Sequence, residues 1–342
     1  MNTATSGYLK ETTPWYYVRS MWSKRLALLL SLIIYTTMNM LAQQDILHYY
    51  INLTANTKNE VVEKSYGKVI RNSKDKVTLT PIDSLDTNSF LQKLTTDVGS
   101  RPYDMTMYIH GMWANRPFIW RQTAEVIEDD IIGSRDTVQV IVSFIWDAAV
   151  IYQNSVDLAI KSGKSCQELF GKLTSATLGA NSTIVMAHSM GNRFFQHMIT
   201  PYLGSPLTRI DHYFALAADL EQNIFSKNQP LAHIGNVVRE MTVYKHNNDR
   251  TLMMSQMINK NSRLGLQGLD STTLNRGGWT QVDVSLTADN QIFGKDLFNH
   301  RYYYTNPHVT TDVRLQLLGQ VNPCRVAMQG CHHFKLVPND SQ

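Results

Sequence analysis

Cysteine is scarce here: three in 342 residues, and only Cys324 and Cys331 lie near each other. That excludes a small disulfide-stapled fold, which needs several bridges to make up for a thin core. Metal-ligand spacing is sparse as well. Cys324, Cys331, His332 and His333 form one group with no second spaced pair, so no metal or organic cofactor is expected. Pairing of Cys324 with Cys331 is the plainer use of that loop. Cys166 falls in a helical stretch and reads as a small buried apolar residue. No basic stripe interleaved with aromatics is present, so no nucleic-acid partner is expected. No apolar run reaches the ~20 residues of a membrane-crossing helix, and no internal repeat is visible.

The charge that is present is unevenly placed. Of a net +4, the first 42 residues contribute +3, from Lys10, Arg19, Lys24 and Arg25 against Glu11. Arg19, Lys24 and Arg25 precede an apolar run, Leu26 to Ile34, followed by polar Thr36, Thr37 and Asn39 and then Met40-Leu41-Ala42. Charged region, apolar core and small-residue cut site in that order mark residues 1–42 as an export signal. The mature chain is then expected to begin near Gln43, in the periplasm or outside the cell; an uncleaved N-terminal anchor is the alternative. Hydrophobic residues make up 43% and charged residues 18% of the chain, an ordinary globular balance with room for one large domain.

Residues 43–103 mix strand-like pieces with polar turns and read as an antiparallel start to a sheet. From Met105 onward, strands and helices alternate. Strands are expected at Met105–His110, Val138–Trp146, Ile184–His188, Ile210–Ala217, Val237–Tyr244 and, last, Val282–Leu286. Helices are expected from Pro117 to about Ile131, from about 154 to 175, and at Leu252–Ile258 and Val309–Leu318. This is the α/β class: a mainly parallel central sheet with helices on both faces, occupying residues 104–319. Residues 320–342 read as a C-terminal tail. Ligands of such sheets gather at the carboxyl ends of the strands.

One strand end stands out. The β-branched run Thr183–Val185 leads through Met186 into Ala187-His188-Ser189-Met190-Gly191-Asn192, and Met190, Phe194, Phe195, Met198 and Ile199 then fall on one helical stripe. A strand, a serine flanked at two residues by small side chains, and an immediate helix are the parts of a nucleophile elbow, with alanine in place of the first glycine. The bland alternative is an ordinary strand-to-helix turn with a solvent-facing serine.

A serine nucleophile needs a base, an acid and an oxyanion site. Tyr108-Ile109-His110-Gly111-Met112 ends a strand in a way that suits the oxyanion loop, so the backbone N–H groups of Met112 and Met190 are the candidate donors, with His110 holding the loop. Asp249, in Asn247-Asn248-Asp249, is the candidate acid; it also suits a helix N-cap, and Asp219 competes with it. His300 is the candidate base, with His308 its rival. His188 adjoins the serine, but strand neighbours face opposite ways, which makes it a poor base.

Taken together, Ile109-His110-Gly111, Phe144-Ile145-Trp146, the elbow, Ala218-Asp219, Asn248-Asp249-Arg250 and His300 resemble the bacterial esterase/lipase-like α/β-hydrolases grouped as domain of unknown function 900. The resemblance covers about residues 104 to 319. It implies the α/β-hydrolase fold with Ser189, Asp249 and His300 as a triad, and implies no particular substrate. The expected partner is a small-molecule or lipid-like acyl compound, cleaved by an exported serine hydrolase. An acyltransferase, a membrane-associated lipase rimmed by Trp113, Phe118 and Trp120, and a non-catalytic binding protein on the same fold are the alternatives.

Overall fold

A strand covered on both faces must be apolar along its whole length. Val138–Trp146 meets that demand: all nine residues are buried. In the computed structural model, which describes residues 46–338 apart from 57, 59, 73–75, 83–85, 113–122, 134, 176–177, 206–208, 275, 289–295, 297 and 329–331, it lies near the middle of one large sheet. In chain order the strands are β1 (Ile46–Ala55), β2 (Val61–Asn72), β3 (Lys76–Pro81), β4 (Tyr103–Ile109), β5 (Val138–Trp146), β6 (Ser182–His188), β7 (Ile210–Leu216), β8 (Val238–Lys245), β9 (Trp279–Asp283), β10 (Arg325–Ala327) and β11 (His333–Leu336). Their spatial order is β10-β11-β9-β8-β7-β6-β4-β5-β1-β2-β3. From β11 to β1 every pairing is parallel, and β10, β2 and β3 add antiparallel edges.

Helices cover both faces. On one side pack α1 (Thr87–Val98), α2 (Tyr152–Ser165), α3 (Gln167–Leu173) and α4 (Gly191–Ile199), through Phe90, Leu94, Leu158, Phe170, Phe194 and Met198. Asp86 caps α1 by accepting from the Ser89 N–H at 2.8 Å. A π-helical stretch, Val126–Ile132, and α6 (Pro307–Leu317) cover the other side through Ile127, Ile131, Val309 and Val313. Earlier in the chain than α6, α5 (Arg250–Asn259) follows β8. Cys166 separates α2 from α3, within the single helix expected there, and lies fully buried; burial pushes its thiol up to about 11.

Three expectations need correction. The opening segment is not simply an antiparallel start, because β1 also runs parallel to β5 and thereby joins the central sheet. The strand expected at Val282–Leu286 is Trp279–Asp283. Asp283 Oδ1 accepts from the Ser285 N–H at 3.0 Å, which ends the strand and starts a helical turn at Ser285–Ala288. Nor is it the last strand: β10 and β11, in the segment expected as a tail, extend the sheet beyond β9. The export signal, the first turns of the Pro117 helix, Trp113, Phe118, Trp120 and Cys331 lie outside the described residues.

Two buried polar clusters hold the edges. At the N-terminal edge, His48 on β1 places Nδ1 2.5 Å from Glu128 of the π-helical stretch and Nε2 2.8 Å from the Ser143 hydroxyl on β5. Arg71 on β2 reaches the same Glu128 at 3.3 Å. At the other edge, Arg325 donates two hydrogen bonds of 2.7 Å to Asp312 on α6, which also accepts from Tyr244 and Asn322. Asp312 is fully buried. Arg325→Met strands that carboxylate in the interior and is expected to cost about 3–5 kcal/mol. Asp312→Asn with Arg325→Met should recover part of the loss. Urea unfolding of the three proteins measures it, and equal stability of Arg325→Met and the parent would show that the pair does not hold the edge.

Candidate active site

From β4 the chain moves first to β5 on one side and then to β6 on the other. Such a reversal opens a crevice at the carboxyl ends of the two strands, where ligands of open α/β sheets bind. Ser189 sits there, directly after β6, with φ of 53°. This left-handed conformation is rare for a residue with a side chain and has to be held by its surroundings. The Ser189 N–H donates to the Leu216 carbonyl at 2.9 Å, and the Asp219 N–H donates to the Ser189 carbonyl at 3.1 Å. Asn192 reinforces the turn from its other side: Nδ2 donates to the carbonyls of Ala187 and Ser189, both at 3.0 Å, and Oδ1 accepts from the Tyr213 hydroxyl.

Small residues are needed for a measurable reason. A Cβ on Gly191 would lie 2.5 Å from the Ile109 carbonyl oxygen and 2.6 Å from that of His110. A Cβ on Gly111 would lie 2.8 Å from the Cβ of Ser189. His110 is buried beside this contact. Its Nδ1–H donates to the Gly111 carbonyl at 2.6 Å, its Nε2 accepts from the Trp146 backbone N–H at 3.0 Å, and its ring stacks on Trp146. Burial pushes its pKa down to about 4, so it is neutral at physiological pH and holds the loop.

The structure brings Ser189, His300 and Asp249 together. His300 Nε2 is 2.8 Å from Ser189 Oγ, and Nδ1 is 2.7 Å from Asp249 Oδ2. With Nδ1–H donating to the carboxylate, Nε2 is left to accept the serine proton. Asp249 Oδ1 meanwhile accepts from the Leu252 N–H at 2.9 Å and caps α5. One oxygen thus serves the N-cap, and the other faces the His300 ring. Asp219 is committed elsewhere: its carboxylate accepts from Tyr152 Oη at 2.7 Å, Ser255 Oγ at 2.5 Å and Arg193 Nε at 3.3 Å. His308 stands in the first turn of α6, its N–H on Asn306 Oδ1.

Two contributors escaped the sequence reading. Strand alternation turns His188 away from the serine, but left-handed Ser189 interrupts the alternation and both residues line the same cavity. His188 Nε2–H donates to the His300 carbonyl at 3.0 Å, and its ring lies against those of His300 and Tyr303. Burial, with the nearby His300, holds it well below the ordinary imidazole range. Asp296 is the second: it accepts from the Arg301 N–H, and its carbonyl from the Asn299 N–H, fixing the turn that presents His300. No local pattern announces either role.

The cavity holds about 570 Å³, within the usual range for small-molecule sites. Met112 and Met190 both line it, one after β4 and the other at the start of α4, where N–H groups carry partial positive charge. Among the described residues no group of three or more His, Cys, Asp or Glu side chains is placed to hold a metal ion.

Burial alone would lower the pKa of His300; the charge and hydrogen bond of Asp249, helped by Asp296 and Asp219, outweigh it, and the net direction is upward from 6.5. The protonated ring therefore favours the folded state at low pH, and this contribution fades as pH rises through the raised value. An NMR titration of the His300 imidazole is expected to give a midpoint above 6.5, falling in Asp249→Asn. A midpoint unmoved by that substitution would show that the carboxylate does not set it.

No curated protein matches the chain. Among solved structures it is similar to the lin2722 gene product of Listeria innocua, at 11% identity over 68% of this chain and 98% of that one, with a TM-score of 0.37. The siderophore hydrolase EstB of Aspergillus nidulans is similar at 10% identity over 85% of this chain and 87% of its own, with a TM-score of 0.25. The phospholipase PlaB of Legionella pneumophila, solved with thio-NAD, is similar at 10% identity over 58% and 40%, with a TM-score of 0.22. A family model matches residues 90–320, from within α1 to just past α6, and on that match the chain belongs to the alpha/beta hydrolases of unknown function, DUF900.

Proposed function

We propose that this chain is a serine hydrolase that cleaves an ester or a related acyl compound. The observation that carries the reading is the hydroxyl of Ser189 on a cavity wall, 2.8 Å from an imidazole that is itself 2.7 Å from a buried carboxylate. In this reading Ser189 Oγ attacks the substrate carbonyl carbon while its proton passes to His300 Nε2. Asp249 keeps Nδ1 protonated and stabilises the imidazolium. The carbonyl oxygen, now negative, is received by the backbone N–H groups of Met112 and Met190. Collapse of the tetrahedral species breaks the bond to the leaving group, which takes the proton from Nε2. Water then attacks the acyl carbon as it gives a proton to the same nitrogen, and collapse breaks the bond to Ser189 Oγ, which takes that proton back as the acid leaves.

A fluorophosphonate probe is expected to label Ser189, identified by peptide mass spectrometry. Ser189→Ala should lose labelling and hydrolysis of chromogenic esters while unfolding at the parental urea midpoint. A folded parent that neither labels nor hydrolyses any ester in a series of acyl lengths would favour a binding protein on the same fold. For Asp249→Asn the turnover loss should be large, on the order of the ten-thousandfold seen when a serine protease loses its triad acid.

We propose also that the chain is exported. The support is the charged, apolar and small-residue order ahead of Gln43. Mass spectrometry of protein from its native host is expected to find a mature terminus near Gln43. Residues 22–42 intact on a soluble cytoplasmic protein would overturn the proposal.

A further inference from the structure

Large apolar side chains that stay in water need a reason when they cluster. Six do so around the opening above Ser189. Val150 and Ile151 follow β5 and are 74% and 63% exposed; Met254, Met257 and Ile258 lie on α5 at 60%, 79% and 52%; Phe298, two residues before His300, is 49% exposed. Four of these, Val150, Met254, Ile258 and Phe298, also line the cavity that holds the serine. Ile151 adjoins Val150, and Met257 adjoins Ile258 one turn on from Met254. Among the described residues, apolar side chains of the cavity wall therefore reach outward onto the surface of the molecule.

Charge narrows what this rim meets. Residues 250–260 contain no carboxylate, while exposed cations stand at both ends, Arg250 opening α5 and Lys260 following it. Apolar side chains flanked by cations are the composition of a surface that enters the boundary of an anionic lipid layer. Methionine suits such a contact, since its unbranched thioether adapts to an irregular partner. A protein docked here, or a second copy, would close the mouth that a substrate must use. A lipid layer instead delivers the substrate through it.

We infer that the rim formed by the loop after β5, the outer face of α5 and Phe298 seats on an anionic lipid surface, and that the substrate is an ester-linked lipid whose acyl chain passes from that surface into the cavity. The inference rests on the hydrolase reading for its substrate but not for the docking. Ile151 and Met257 do not line the cavity, so they report on docking without touching the chemistry.

The test uses the full chain in a Cys324→Ser/Cys331→Ser background. Met257→Cys carries an environment-sensitive nitrobenzoxadiazole label, and Val321→Cys, at an exposed position outside the rim, carries the control. On phosphatidylglycerol vesicles the label at 257 is expected to shift to the blue and brighten, less so on phosphatidylcholine, with no change at 321. Adding Ser189→Ala should leave that signal intact, so docking and hydrolysis fail or succeed separately. Unlabelled Ile151→Gln/Met257→Gln should hydrolyse phosphatidylglycerol in vesicles about tenfold more slowly or worse, having lost two apolar insertions, yet keep the parental rate on a soluble short-chain ester. No shift at 257, equal shifts at both positions, or parental hydrolysis of vesicle lipid by the double variant would overturn the inference. A blue shift that grows with protein concentration in the absence of vesicles, matched by dimer formation in sedimentation, would assign the rim to a second copy and overturn it as well.

Discussion

The site depends on two strand ends that approach more closely than side chains allow. Where β4 and β6 finish, the absence of a Cβ at Gly191 lets the start of α4 press against the carbonyls of Ile109 and His110, and its absence at Gly111 lets the neighbouring loop press against Ser189. A serine in that crevice takes a left-handed backbone because no roomier path joins strand to helix. The strain persists because β4, β5 and β6 are buried on both faces, and such strands do not yield locally.

Around that contact, polar groups are shared in ways that tie distant segments to one point. Asp249 gives one oxygen to the start of α5 and the other to His300. The helix that carries the apolar rim is thereby hinged on the same carboxylate that orients the imidazole. His300 is held from three further directions, by Asp296 through its turn, by His188 through its carbonyl and by Asn299, whose amide reaches the Asn248 carbonyl at 3.3 Å. Removing water from polar groups costs free energy unless they find partners, and the hydrogen bonds these groups make also fix the geometry.

The legible parts of this protein were the local ones. A run such as Val138–Trp146 announces a doubly covered strand, and small residues on either side of Ser189 announce a tight turn, because both demands act within a few residues. Asp249 and His300 were legible as candidates, since each follows a strand in the expected order and His300 precedes the last helix; that they meet is a matter of the folded chain. The end of β9 turns on one hydrogen bond from Ser285 to Asp283, and β10 and β11 are three and four residues long and depend on Arg325 finding Asp312. Contacts of that kind leave no periodic trace. The helix expected at Leu252–Ile258 carried no statement of which face turns inward; in the folded chain Leu252 and Ser255 are buried, while Met254, Met257 and Ile258 stay exposed.

The cluster at the N-terminal edge bears on how such sites are recognised. His48 links a carboxylate and a serine hydroxyl with distances close to those around His300. A search for this three-residue template would return the molecule twice. Ser143, however, stands in mid-strand between Tyr50 of β1 and Tyr108 of β4, where no electrophile can be brought to its oxygen. The same wiring is sealed between strands in one place and opens on a cavity in the other, so connectivity alone is a poor classifier, and what separates the two copies is whether a small molecule can approach the serine oxygen.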